Sequence, residues 1–180
     1  IRVLLADELD RMGDTKEGDP LKLAMQRTTN FHNRKICFVS TPTIDGQSKI
    51  QEWWDKSDKR YYYVPCQHCG AEQRLIWGQV KWDKNKEGKG MPETARYECA
   101  ECSGVMRGPG KPSMDLLGAG RWIAERPEIT TVAGFHINSM YSPWVDLSKL
   151  VEAWLDVTKT RDREGLMEFI NVKRGELYVE

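Results

Sequence analysis

A chain of 180 residues, 39% of them hydrophobic, is long enough to bury a core, and a charged fraction of 30% with a mean hydropathy of −0.63 predicts a soluble globular protein. The longest apolar runs, Val3 to Ala6 and Ile36 to Val39, are far too short to cross a bilayer, and no charged-then-apolar leader is visible, so a cytoplasmic protein is expected. Lys+Arg and Asp+Glu balance at 27 each, which ordinarily argues against a nucleic-acid binder, yet the charges are unevenly placed. Residues 1–55 carry 8 basic and 9 acidic side chains, 56–111 carry 11 and 7, and 112–180 carry 8 and 11. The middle segment is the basic one, and it also holds four of the five cysteines.

Ile1 to Ala6 is a nearly continuous run of strand-forming residues, the pattern of a strand covered on both faces, and it ends in Asp7-Glu8. Residue 1 already stands inside that run, so sequence upstream is expected to belong to the same domain. A polar loop follows over 11–18, and Asp19-Pro20 then supplies an N-cap with proline at the first helical position. Leu21, Ala24, Met25 and Thr28 recur at helical spacing, which predicts about three turns of helix before Asn30.

The second apolar run, Ile36 to Val39, stops at Ser40-Thr41-Pro42. Strand, helix and strand in that order predict a right-handed parallel crossover, with Asp7-Glu8 and Ser40-Thr41 on one carboxyl edge, where open α/β sheets bind ligands. Cys37, inside that run, is expected to be a buried, inert thiol.

Further on, Ile50, Trp53 and Trp54 predict a short helix, and Arg60 to Val64 a strand leading to Cys66. Leu75-Ile76-Trp77 and Val80 to Trp82 read as a hairpin, followed by a lysine- and glycine-rich loop over 84–90 and a return strand at Arg96 to Glu98. A Pro/Gly-rich exit, Gly108 to Pro112, precedes a strand expected over Thr131 to Ile137. Leu147, Leu150, Val151, Trp154 and Leu155 mark an amphipathic helix with Asp146 as N-cap, and Leu166, Phe169 and Ile170 a last helix.

Two constellations carry chemistry. Cys66, Cys69, Cys99 and Cys102 form two CxxC pairs, the set of four thiolates that closes a tetrahedral Zn²⁺ shell; the two-residue spacing lets one tight turn present both sulfurs, and Gly70 and Gly104 suit that turn. A full shell leaves no open position, so this zinc is structural, and His68 is surplus to it. At the first strand end, two adjacent carboxylates can divide the labour of phosphate hydrolysis, Asp7 holding Mg²⁺ through water and Glu8 polarising the attacking water. Ser40 and Thr41 can hydrogen-bond a terminal phosphate or that water. Each feature is weak alone, since Asp-Glu and Ser-Thr-Pro also merely end strands. Together on one edge they predict a nucleotide-hydrolysing core.

Ala6-Asp7-Glu8-Leu9-Asp10, Gly18-Asp19-Pro20-Leu21, Ser40-Thr41-Pro42-Thr43, Gly46-Gln47-Ser48-Lys49-Ile50, Ser57-Asp58 and Tyr63-Val64-Pro65-Cys66, in that order, resemble the lambda-type large terminase subunit family. The likeness continues through Gly120-Arg121-Trp122, Gly134-Phe135-His136-Ile137-Asn138 and Tyr141-Ser142-Pro143-Trp144 to Phe169-Ile170-Asn171. The resemblance implies a viral DNA-packaging motor, in which an ATPase drives DNA into a capsid and a joined nuclease cuts it. The implied fold is α/β: a partial RecA-like parallel sheet of the P-loop NTPase type over 1–59, a four-cysteine zinc-ribbon insertion over 60–111, and a return to the core with C-terminal helices over 112–180.

By position, Asp7 would be the Mg²⁺-binding acid of a Walker B motif and Glu8 the catalytic carboxylate. Ser40, Thr41 and Pro42 would couple hydrolysis to movement, and Arg27 is a lesser candidate for contacting phosphate or a neighbouring subunit. The implied cofactors are structural Zn²⁺, with Mg²⁺ and ATP in the full-length protein. The implied partners are double-stranded DNA, a small terminase subunit, a portal and further copies of the chain, without a membrane, in the host bacterial cytoplasm. No GxxxxGK[ST] loop occurs and no acidic cluster follows Tyr178, so the segment alone is expected neither to bind ATP well nor to cleave DNA. Two rival readings stand beside the motor: a noncatalytic docking module for nucleic acid or protein built on the basic ribbon, and a helicase-like ATPase.

Overall fold

The two apolar runs pair as parallel strands, β1 (Val3–Ala6) and β2 (Lys35–Phe38), in register from Val3 opposite Lys35 to Ala6 opposite Phe38. The computed structural model, which describes residues 1–13, 15–16, 18–107 and 118–180, connects them through helix α1 (Pro20–Gln26). Asp19 caps α1 as its residue type dictates, its carboxylate accepting the Leu21 N–H at 2.9 Å. The helix has 7 residues, a turn shorter than its apolar spacing predicts. Arg27, Thr28 and Thr29 donate their N–H groups three residues back, and the Thr28 hydroxyl returns to the Met25 carbonyl at 2.7 Å, so the chain tightens out of α geometry.

One face of β1 is covered. Ala6 packs with Leu9 and Leu21, backed by Met25, Phe38, Ile50 and Trp53, whereas Val3 and Leu5 stay 48% and 74% exposed. The expectation of a strand covered on both faces therefore fails: among the described residues this parallel sheet has two strands, not the wider sheet of a RecA-like core. Cys37 stands opposite Leu5 on the open face and is exposed, which corrects the buried thiol expected from its apolar neighbours. Helix α2 (Lys49–Asp55) closes the covered side. Ser48 caps it, accepting the Gln51 N–H at 3.3 Å, and the Trp53 ring lies 4.9 Å from Phe38.

The chain then builds mainly antiparallel structure from β3 (Arg60–Pro65), β4 (Glu72–Arg74), β5 (Val80–Lys84), β6 (Gly90–Glu98), β7 (Val105–Arg107) and β8 (Arg121–Ala124), with β9 (Phe135–His136) joining β3 in parallel. In one sheet β3 lies between β4 and β8 and also pairs with β9; in the other the order is β5-β6-β7. The hairpin is β5 with β6 across the lysine loop, not Leu75–Trp77 with Val80–Trp82. Leu75 and Ile76 spend their N–H groups on the Tyr141 and Tyr97 hydroxyls at 2.8 and 3.1 Å, and Trp77–Gln79 forms a single 3₁₀ turn. The strand expected over Thr131 to Ile137 shrinks to two residues, because the Gly134 N–H is taken by the Asp58 carboxylate at 3.0 Å. The Gly108 to Pro112 exit lies outside the described residues.

Helix α3 (Leu147–Thr160) lies against β6. Asp146 occupies its N-cap position, but its side chain makes no cap bond. Helix α4 (Arg163–Glu168) passes into a π-helical turn over Phe169–Arg174 rather than continuing regularly through Ile170. One core joins Val64, Cys66, Leu75, Val80, Tyr97, Cys99 and Met106 of the sheets with Met140, Tyr141, Leu147, Leu150 and Val151.

Candidate functional site

The turn from β3 to β4 carries Cys66 and Cys69, and the turn from β6 to β7 carries Cys99 and Cys102. Their four Sγ atoms lie within 4.8 Å of one another, with Cys66–Cys102 and Cys69–Cys99 both at 3.8 Å. A tetrahedral ion with Zn–S bonds of about 2.3 Å requires sulfur edges of about 3.8 Å. Two of the six edges already have that length and the others lie within 4.8 Å, so the set suits a metal of that kind with small side-chain adjustment.

The two turns share one backbone pattern. Gly70 and Ser103 donate their N–H groups to the carbonyls of Cys66 and Cys99 at 2.9 and 3.0 Å, and the Cys66 and Cys99 N–H groups go to Ala71 and Gly104 at 2.9 Å. The N–H groups of His68, Glu101 and Gly104 each reach a cysteine Sγ at 3.4 Å, a direction that suits thiolate acceptors. His68 is no ligand; its Nε2 lies 3.0 Å from the Val105 carbonyl and ties one turn to the other.

Gln73, which no motif marks, donates its side-chain amide to Cys99 Sγ at 3.0 Å and accepts the Ala100 N–H at 3.1 Å. The Cys102 N–H and then Gln73 hold the Cys99 thiol down to about 6. Cys102, although the Gly104 N–H lowers it, is pushed up to about 12 by the Cys69, Cys99 and Cys66 thiols. Cys99 thus gives up its proton readily while Cys69 and Cys102 are pushed the other way, an imbalance a divalent cation removes.

The second constellation lies where β1 and β2 end. The ladder runs past the strands, with the Val39 N–H on the Ala6 carbonyl at 2.9 Å and the Leu9 N–H on the Val39 carbonyl at 3.3 Å. Asp7 and Glu8 are exposed at this edge, and Ser40 and Thr41 stand half-buried beside them. Glu8 adopts a left-handed backbone, φ 54° and ψ 45°, uncommon for a residue with a Cβ, and donates its N–H to Asp7 Oδ1 at 2.9 Å. Arg11 pairs with the Glu8 carboxylate at 3.1 Å in solvent. Ser40 Oγ accepts the Asp10 N–H at 3.1 Å and donates to the Thr41 carbonyl at 3.0 Å.

The predicted residues thus share one edge, and Asp10 joins them. Its carboxylate accepts the Thr43 hydroxyl at 3.0 Å and the Ile50 N–H at 2.7 Å. The sole sequence signal for Asp10 is a third acid just after Asp7-Glu8. The Arg27 carbonyl lies 2.8 Å from the Ile1 backbone nitrogen, at the end of β1 opposite this edge.

Residues 1–122 match the sequence model of the phage terminase large subunit gpA ATPase domain, and residues 132–180 match that of the gpA endonuclease domain. The chain belongs to the phage terminase large subunit family. It is 33% identical over 190 residues to the terminase large subunit of Enterobacteria phage P21, covering 92% of this chain and 28% of that one. Against the terminase large subunit of Escherichia phage lambda it is 28% identical over 200 residues, covering 96% and 29%. The chain thus spans less than a third of the length of these curated terminase relatives. No solved structure matches it. The first terminase match ends inside β8 and the second begins just before β9, and both strands pair with β3. No helix among the described residues is long and apolar enough to cross a membrane.

Proposed function

We propose that this segment supplies the hydrolytic strand ends of an ATP-driven DNA-packaging motor, within an ATPase core of RecA-like type completed elsewhere in the full-length protein. The observation that carries the reading is the parallel β1-α1-β2 unit, which sets Asp7-Glu8 and Ser40-Thr41 on one carboxyl edge with the Asp10 N–H on Ser40 Oγ at 3.1 Å. Bound Mg²⁺ and ATP would supply the electrophilic phosphate. Asp7, exposed and free of cationic partners among the described ion pairs, is the acid that holds the metal through water. Glu8 accepts the proton of the attacking water, and Ser40 and Thr41 sense the phosphate and pass its loss to the β2 end.

In this reading residues 1–59 are motor core, 60–111 a ribbon held by structural Zn²⁺ on Cys66, Cys69, Cys99 and Cys102, and 112–180 the return, of which 132–180 is the stretch that matches the endonuclease domain. The partners are double-stranded DNA, a small subunit, a portal and further copies of the chain, in the host bacterial cytoplasm. Lys84, Lys86 and Lys89, exposed around the β5–β6 loop, are the phosphate-facing charges of the ribbon.

The test is Glu8→Gln in the full-length protein. ATP hydrolysis should fall by at least about a thousandfold while nucleotide affinity stays within about threefold. Unchanged turnover would sink the motor reading.

A further inference from the structure

We propose that Asp10 is a positioning residue for ATP hydrolysis, a clip that fixes the loop carrying Glu8 to the segment carrying Ser40. The inference rests on the motor reading and goes beyond it by assigning a residue that touches neither nucleotide nor metal. Three bonds make the clip. The Asp10 N–H holds Ser40 Oγ at 3.1 Å, Oδ2 holds the Thr43 hydroxyl at 3.0 Å, and Oδ1 holds the Ile50 N–H at 2.7 Å. They span separations of 30, 33 and 40 residues, so one side chain and its own amide tie the first strand end to the second and to the start of α2.

The geometry gives the clip its consequence. Leu9, between Glu8 and Asp10, is fully buried in the first core, so the two acids flank a fixed pivot. Glu8 holds a left-handed backbone that a glutamate does not choose freely, and such a conformation persists only where its surroundings over-determine it. The restraint on its N-terminal side is the Asp7 Oδ1 bond to its own N–H. On the C-terminal side it is the clip. The Asp10 carboxylate is half-buried, and acceptors bearing charge make the stronger hydrogen bonds. Ser48 caps only the Gln51 N–H of α2, so the Asp10 bond to Ile50 fills a second open donor of that first turn, and helix capping leaves the bonds to Ser40 and Thr43 unexplained.

The test uses the full-length protein and compares Asp10→Ala, Asp10→Asn and Thr43→Val, with Glu8→Gln as the reference. Asp10→Ala should lower kcat for ATP hydrolysis on the order of 10- to 100-fold, the loss a misplacement of about 1 Å produces, and leave KM for ATP within about threefold. Asp10→Asn, which keeps an oxygen for Thr43 or Ile50, should recover most of kcat. The double variant Asp10→Ala/Thr43→Val should be no slower than Asp10→Ala alone, because the bond that Thr43→Val removes is already lost in Asp10→Ala. If Glu8→Gln is inactive while Asp10→Ala keeps the parental kcat, the clip is refuted and the motor reading survives. A raised KM with unchanged kcat also refutes it, because it assigns Asp10 to binding. If Glu8→Gln turns over normally, both fall. Where Asp10→Ala does not fold, Thr43→Val decides: lowered kcat at unchanged Tm supports the clip, and parental kcat overturns it.

Discussion

Single residues separate the two cysteine turns, which otherwise share their hydrogen bonds. The position after the second cysteine needs a positive φ in both, 75° at Gly70 and 57° at Ser103. Sequence reading placed the turn glycine of the second pair one residue late, at Gly104, because glycine is the usual mark of such a turn. Gly104 is needed for room: a Cβ there would stand 2.5 Å from Cδ2 and 2.8 Å from Cγ of His68. Gly104→Ala should thus displace His68, break its contact with the Val105 carbonyl and destabilise the protein by about 1–3 kcal/mol. Ser103→Gly should be neutral or stabilising by up to about 1 kcal/mol, since only the strain of a left-handed serine is relieved. Urea denaturation of both variants checks the pair, and a harmless Gly104→Ala beside a damaging Ser103→Gly would reverse the assignment.

Among the elements, α2 links the strand ends to the second sheet. Its first turn hangs on Asp10, and its end delivers Ser57 and Asp58, both buried. Asp58 accepts the Gly134 N–H at 3.0 Å and the Arg60 Nε–H at 2.7 Å, and its backbone bonds Val132 and Arg126 at 3.0 Å. Asp58→Ala should cost about 1–3 kcal/mol by leaving the half-buried Gly134 N–H without an acceptor and Arg60 without its partner. Asp58→Asn, which keeps one acceptor, should cost about half of that, and thermal unfolding distinguishes the two. A cost below about 0.5 kcal/mol for Asp58→Ala would show that the link carries no stability.

The same region shows what the sequence made legible. The β1-α1-β2 crossover could be read from two apolar runs and an Asp-Pro cap, because those signals are local. The shortened β9 and the misplaced hairpin could not, because the N–H groups of Gly134 and Leu75 are claimed by Asp58 and Tyr141, 76 and 66 residues away. Cys37 was misread for a related reason: apolar neighbours imply burial only where a second layer exists, and the face it shares with Leu5 has none among the described residues. Of the candidate site, the cysteines and the paired acids were legible from spacing, whereas Gln73 and Asp10 act through contacts that spacing does not encode.

At the scale of the molecule, the cysteine turns and helix α3 share one hydrophobic core. Cys66 and Cys99 are buried in it with Val64, Tyr97 and Met106, and Leu147, Leu150 and Val151 of α3 complete it. Trp77, in the turn before β5, packs at 5.6 Å on Trp154 and 5.0 Å on Phe169, so its surroundings report on both parts. A ribbon that folded on its own would lose only its turns when the metal is removed. This one should loosen as far as α3. Chelation at neutral pH should release one Zn²⁺ per chain and lower Tm, by about 2–4 °C for each kcal/mol of stability lost in a domain of this size. The tryptophan near-ultraviolet dichroism should fall in the same step as metal release. Acidification should act in the same direction, because the ligands bind as thiolates and protons compete for them, so metal occupancy and stability fall together as pH falls. Metal release with an unchanged Tm and an unchanged tryptophan signal would show that the four sulfurs hold only their own turns, and that the shared core stands without them.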